Sequence, residues 1–139
     1  MDDVTRAELS DKTKLMIEIA LAASSKATDP ITNYPEGAAV IGSDDKIYPG
    51  CSVGNDTLTG TSATHGAIHG MVVSGAGLLK EIAVANPEGK PPDGGGLQHI
   101  WQYCGYQKDT PVYLVSIDGG IKRCTVGELL PGAFTLAKK

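Results

Sequence analysis

The 139-residue sequence predicts an α/β fold: a mixed five-stranded sheet with helices on both faces. Two observations carry this. Segments of helical period alternate with short apolar runs in the order αββαβαββα. Clusters of Gly, Pro, Asn and Asp separate them, and these residues punctuate secondary structure because they suit turn dihedrals.

Taken in order, Ser10 is placed to cap a helix from Asp11 to about Lys26, with Leu15, Ile19 and Ala22 or Ala23 on one face. Two prolines and an Asn within 29–35 end it. Ala38 to Ile41 and Lys46 to Tyr48 read as a hairpin around Gly42-Ser43-Asp44-Asp45. A loop from Gly50 to Thr61 leads to a second helix, about Ser62 to Ser74. Glu81 to Ala85 is a short buried strand. The Pro/Gly-rich stretch from Asn86 to Gly94 precedes a third helix, about Gly95 to Cys104. Val112 to Val115 and Ile121 to Cys124 are two strands flanking Asp118-Gly119-Gly120. A last short helix starts at Thr125, with Glu128 completing a capping box.

Composition bounds the rest. With 41% hydrophobic and 20% charged residues, the chain is expected to fold as a single domain over 1–139, with a flexible N-terminus at 1–10. A net charge of −4 argues against nucleic acid or an anionic membrane as the main partner. No apolar run reaches membrane-span length, and Met1-Asp2-Asp3 is no signal-peptide start, so a cytoplasmic protein is expected. Cys51, Cys104 and Cys124 are odd in number and lack metal-type spacing, which predicts buried thiols.

From about Leu15 to Phe134, the chain resembles the small cytidine deaminase and blasticidin-S deaminase family. Tyr34-Pro35-Glu36-Gly37-Ala38-Ala39 is similar to that family's Phe-x-Val-Gly-Ala-Ala strand. Gly50-Cys51-Ser52-Val53-Gly54-Asn55 resembles its Gly-Cys-Asn-Val-Glu-Asn turn. Pro111-Val112-Tyr113 and the run from Thr125 to Pro131, ending at Phe134, follow its C-terminal third. The resemblance implies a cytidine deaminase-like fold.

The family's chemistry does not follow from these residues. Zinc deaminases use His or Cys, one residue, then Glu, and later Pro-Cys-x-x-Cys. Here Ser62 holds the first ligand position, Thr64 the Glu position, and Asp93 and Gly96 the cysteine positions. A hydroxyl and a glycine do not replace thiolates as zinc ligands. The expectation is therefore no metal and no cofactor. The family's ribose- and pyrimidine-binding Asn and Glu are Ser52 and Gly54, which predicts a ligand other than a nucleoside.

New chemistry is expected at Glu36, which replaces an apolar wall of the family's pocket. A carboxyl group there is either a general acid or base of raised pKa, or it turns to solvent or a salt bridge. His65 is its candidate partner, since imidazole exchanges protons near neutral pH. An i, i+4 pair with His69, plus Asp93, is a weak metal alternative, and His99 reads as structural. Two helix starts, near Ser62 and Gly94, converge in the resembled fold, so Ser62, Thr64 and the amides of Gly94, Gly95 and Gly96 are candidates to hold an oxyanion. Asp93 either joins them or caps its own helix. Tyr34 stands at the family's ring-contact position and Ser52 beside it. Phe134 matches an aromatic that reaches a neighbouring subunit's site in tetrameric relatives, which implies a homotetramer or homodimer.

These readings lead to an expected zinc-independent enzyme that performs cyclisation, isomerisation or elimination on a small non-nucleoside metabolite in specialised metabolism. A catalytically dead binding or scaffold protein is the alternative, and residual cytidine deamination a third reading.

Overall fold

The computed structural model describes residues 1–30 and 32–136. The sheet starts at the N-terminus: β1 (Asp2–Asp3) pairs antiparallel with a C-terminal strand, and Val4 and Leu9 are buried. The first ten residues, expected to be flexible, thus contribute to the sheet and the core.

Ser10 Oγ accepts a 3.2 Å hydrogen bond from the Thr13 N–H and caps α1 (Asp11–Ser24). The buried side of α1 is Thr13, Met16, Ile17, Ala20 and Ser24. This corrects the expected face, because Leu15 is 51% exposed. The segment from Leu15 to Ala23 is apolar nearly all round, so periodicity does not select which stripe meets the sheet.

Next come β2 (Gly37–Gly42), β3 (Ile47–Cys51), a small ribbon of β4 (Val53–Gly54) and β5 (Gly60–Thr61), and α2 (Ala63–Val73). Then follow β6 (Leu79–Asn86), α3 (Gly94–Tyr103), β7 (Pro111–Ser116), β8 (Ile121–Thr125) and α4 (Val126–Leu129). The sheet order is β1-β8-β7-β6-β2-β3, parallel only between β6 and β7. It is mixed, as expected, but has six strands rather than five, because β1 adds to the edge of β8. Both bonds of the Thr125–Glu128 capping box are present at α4.

Alternate residues of the central strands face opposite layers. Ala39, Ile41, Ala83, Ala85 and Val115 pack beneath α1 with Met16, Ile17 and Ala20. Ala38, Val40, Ile82, Val84, Val112 and Leu114 face Ala67, Ile68, Met71, Ile100 and Val126 of the other helices. Covered on both faces, these strands read as continuous apolar runs. Pro49 sits in β3, an edge strand, where a missing N–H costs no central ladder bond.

Two glycines let the helices approach closely. A Cβ on Gly37 would stand 2.2 Å from the Ala20 carbonyl of α1, and one on Gly50 would stand 2.3 Å from the Ala67 nitrogen of α2. Glu36, next to Gly37, and Ser52, two residues after Gly50, lie beside these close approaches.

Among the described residues no helix is long and apolar enough to cross a membrane. Cys104 and Cys124 are buried as expected, and burial pushes the Cys124 thiol up to about 11. Cys51 is only half-buried, a correction that follows from its place at the end of an edge strand.

Candidate functional site

A cleft of about 480 Å³ opens where the start of β2, the end of β3 and the starts of α2 and α3 meet. Tyr34, Glu36, Ser52, Ser62 and Asp93 all line it, so five of the residues singled out in the sequence come together. The ribbon β4–β5 and the loop it encloses form the opposite wall, through Val53, Leu58, Thr59, Gly60 and Thr61.

Glu36 precedes β2 and faces the cleft, half-buried. Burial raises its carboxyl pKa above the usual range. A hydrogen bond from Asn86 opposes the rise, the nearby charge of Asp93 adds to it, and the Ala63 backbone N–H opposes it again. Asn86 Nδ2 reaches Glu36 Oε2 at 3.2 Å and also donates to the Lys90 carbonyl at 2.9 Å. Ser52 is held against the same segment: its N–H donates to the Glu36 carbonyl at 2.9 Å, and its Oγ accepts from the Glu36 N–H at 3.3 Å. Burial raises the Tyr34 phenol as well, with the charge of Glu88 adding. Its hydroxyl faces the Glu88 backbone and finds no partner at hydrogen-bond geometry.

Each helix start is capped by its own residue. Ser62 Oγ accepts from the His65 N–H at 3.1 Å and bonds the His65 Nδ1 at 2.7 Å. Asp93 Oδ1 accepts from the Gly96 N–H at 2.8 Å. The expected oxyanion hole is thus partly occupied by the chain's own acceptors, and Asp93 places a carboxylate where an anion would sit. Gly94, Gly95 and Gly96 lie behind Asp93 and do not line the cleft. Thr64 is fully buried beside Gly96, with its hydroxyl unpartnered.

His65 does not line the cleft. It reaches the cleft through Ser62 and on its other side stacks on His99, with ring centroids 4.2 Å apart. His69 Nε2 lies 3.1 Å from His99 Nε2. Burial, then the neighbouring His65 and His69, pushes His99 down to about 4. Phe134 is 68% exposed and lies outside the cleft of its own chain. Trp101 donates through Nε1 to Thr135 at 3.0 Å and packs on the core.

Two site residues escaped the sequence reading. Asn86 ends the apolar run of β6, a polar residue where a strand enters a loop, and that position was its one signal. Asp29 lay in a segment read only as a helix break. A Cβ on Gly54 would stand 2.8 Å from Asp29 Oδ1, so the Asp29 carboxylate fills the space beside that glycine.

A catalytic zinc requires three side-chain donors and an open position. Ser62 offers a hydroxyl already bonded to His65, Asp93 a carboxylate already bonded to Gly96, and Gly96 no side chain. Among the described residues no group of three His, Cys, Asp or Glu is placed to hold a metal ion. This donor set does not fit the zinc site of the resembled family.

No protein-family model matches the chain. A protein of Sporosarcina psychrophila named cytidine deaminase is 36% identical over 126 residues, spanning 86% of this chain and 91% of its own. A second, from Halalkalibacterium halodurans and of the same name, is 32% identical over 125 residues, spanning 88% and 93%. The solved cytidine deaminase of Burkholderia pseudomallei superposes with a TM-score of 0.80 at 28% identity, covering 91% of this chain and all of that one (100%). That of Mycobacterium tuberculosis gives a TM-score of 0.75 at 22% identity over 92% of this chain, a likeness of fold alone.

These likenesses overturn the expected enzyme of non-nucleoside metabolism, since relatives matching most of the chain carry the name cytidine deaminase. The expectation went astray because it equated two lost side chains in one turn, Ser52 and Gly54, with a lost ligand. A cleft is lined from several segments, and here Asp29 and Glu36 bring polar groups to it from outside that turn.

Proposed function

This chain belongs to the cytidine deaminase family, and from that membership we propose that its cleft binds a pyrimidine nucleoside without a catalytic zinc. The carrying observation is the cleft itself. Its position between β2, β3 and the two helix starts gathers Tyr34, Glu36, Ser52, Ser62 and Asp93 around about 480 Å³. That volume suits a small ligand held by a few convergent polar groups.

In this reading Tyr34 packs against the nucleoside, and Ser52 and Ser62 offer hydroxyls to it. His65 orients the Ser62 hydroxyl. Thr64, Gly94, Gly95 and Gly96 shape the floor behind Asp93. The chain assembles as a homotetramer or homodimer in the cytoplasm, and the exposed Phe134 closes a neighbouring subunit's cleft. Cytidine deamination is the second reading, favoured by the names of the two relatives. Ser62, Thr64, Asp93 and Gly96 do not supply the thiolate ligands and the carboxylate of a zinc-hydroxide route.

The test combines three measurements on one preparation: calorimetric titration with cytidine and uridine, zinc content, and uridine formation from cytidine. A bound nucleoside stabilises the fold by about 2.7 kcal/mol at a hundredfold excess over Kd, so a melting shift should accompany the heat. We expect nucleoside binding, zinc far below one equivalent per chain, and no uridine above background. Absence of any nucleoside binding overturns the proposal. One equivalent of zinc together with uridine formation replaces it with the second reading.

A further inference from the structure

We propose that His69 and His99 form a surface chelate for a late first-row divalent ion (nickel, copper or zinc) that clasps α2 to α3 outside the cleft. The site is independent of what the cleft binds.

The chain has three histidines, and the fold brings all three to one place. His65 and His69 stand four residues apart on one face of α2, and His99 meets them from α3. Ring centroids lie 4.2 Å apart for His65 and His99, 5.2 Å for His69 and His99, and 5.9 Å for His65 and His69. None of the three lines the cleft. His69 is exposed and His99 half-buried, so an ion reaches the pair from solvent.

The Nε2 atoms of His69 and His99 face each other at 3.1 Å. Two metal–nitrogen bonds of about 2.0–2.1 Å that span this gap meet at about 100°, between the octahedral angle of about 90° and the tetrahedral angle of about 109°. The two nitrogens are therefore placed as adjacent corners of a coordination sphere. In the hydrogen-bonded pair, one Nε2 donates and the other accepts. On chelation the donor ring carries its hydrogen on Nδ1 instead, and both Nε2 lone pairs point at the ion. No electron is transferred and no net proton is released.

The surroundings favour an ion over a second proton. Imidazole ligates a metal only in its neutral form. Burial, then His65 and His69, hold His99 down to about 4, so it is neutral at physiological pH. Its ring is packed against His65 and against Tyr103, 5.1 Å away, which fixes the direction of Nε2. His65 adds no third ligand. Its Nδ1 is bonded to Ser62 at 2.7 Å, and among the described residues no three His, Cys, Asp or Glu are placed around one ion. Water fills the other positions. Nickel, copper and zinc suit imidazole nitrogen, whereas magnesium takes oxygen ligands. Two protein ligands hold an ion more loosely than three, so dialysis removes it, in keeping with the low zinc content expected of the purified protein.

The experiment is calorimetric titration of the dialysed full chain with nickel, copper and zinc chlorides, and with magnesium chloride as control. The wild type should bind one ion per chain, copper more tightly than nickel, and give no heat with magnesium. Nickel should raise its melting temperature, because the ion binds the folded chain. Copper bound to it should show splitting from two imidazole nitrogens in electron paramagnetic resonance. His69→Ala and His99→Gln should each weaken nickel binding by at least about tenfold, since even an outer partner of a metal site costs that much. His69 is exposed and Gln keeps a polar side chain at position 99, so both variants should fold. Asp93→Asn should bind nickel as the wild type does. Nickel affinity unchanged in His69→Ala overturns the inference. Binding that survives in His69→Ala but is lost in Asp93→Asn overturns it too, because the ion then sits in the cleft. Failure of all three ions to bind the wild type also overturns it and leaves the pair as a hydrogen bond between two helices.

Discussion

Asn86 ties Glu36 to the loop after β6: one buried amide donates both to the Glu36 carboxylate, at 3.2 Å, and to the Lys90 carbonyl, at 2.9 Å. Its Oδ1 accepts from the Lys90 N–H at 2.8 Å. One side chain thus closes the loop after β6 and sets the direction of the carboxyl group in the cleft.

Asn86→Ala should therefore cost stability and ligand affinity together. It removes the three hydrogen bonds that the buried Asn86 side chain makes, to Glu36 and to the exposed Lys90, each with a net contribution of about 0.5–1.5 kcal/mol. Urea unfolding measures it. An unchanged midpoint would show that solvent replaces Asn86 at no cost.

Glu36 makes stability fall as pH rises. Its folded-state pKa lies above the unfolded value, so the folded protein holds the proton more tightly, and stability declines from the unfolded pKa upward through the folded one. Glu36→Gln should unfold at a higher temperature than the wild type at pH 7, and the two should converge near pH 4. Equal melting temperatures across that range would mean the carboxylate is fully compensated where it sits.

His99 has the opposite slope. Its folded value of about 4 lies below the ordinary 6.5 because of burial and the adjoining His65 and His69, with Tyr103 as a further ring neighbour. The unfolded chain therefore binds the extra proton between pH 6.5 and 4, and stability is lost as pH falls through that window. His99→Gln should flatten that limb of the urea-midpoint profile by comparison with the wild type. Parallel profiles would reject the assignment.

Assembly is tested by light scattering at micromolar concentration. A mass of two or four chains is expected, and Phe134→Ala should weaken nucleoside binding without changing the fold, because Phe134 is 68% exposed in its own chain. A monodisperse monomer that still binds nucleoside would remove Phe134 from the site.

The sequence by itself determined the order of the main helices and strands, the mixed sheet and the caps at Ser10 and Thr125, and it left Asp93 between a cap and a ligand-binding role. These depend on contacts within a few residues or on the two-residue and 3.6-residue periods of apolar side chains. It also marked Tyr34, Glu36, Ser52, Ser62 and Asp93, which the fold gathers into one cleft. Tertiary structure alone decided the rest. The burial of Met16 and Ile17 rather than Leu15 depends on which side of a nearly all-apolar helix meets the sheet. The sixth strand exists because Asp2 and Asp3 find Arg123 and Lys122 more than a hundred residues away, a pairing with no local signature. Asn86 and Asp29 reach the site through a 50-residue separation from Glu36 in one case and the space beside Gly54 in the other. Long-range pairs of this kind leave no period or spacing in the chain, because what brings them together is the packing of the helices on the sheet.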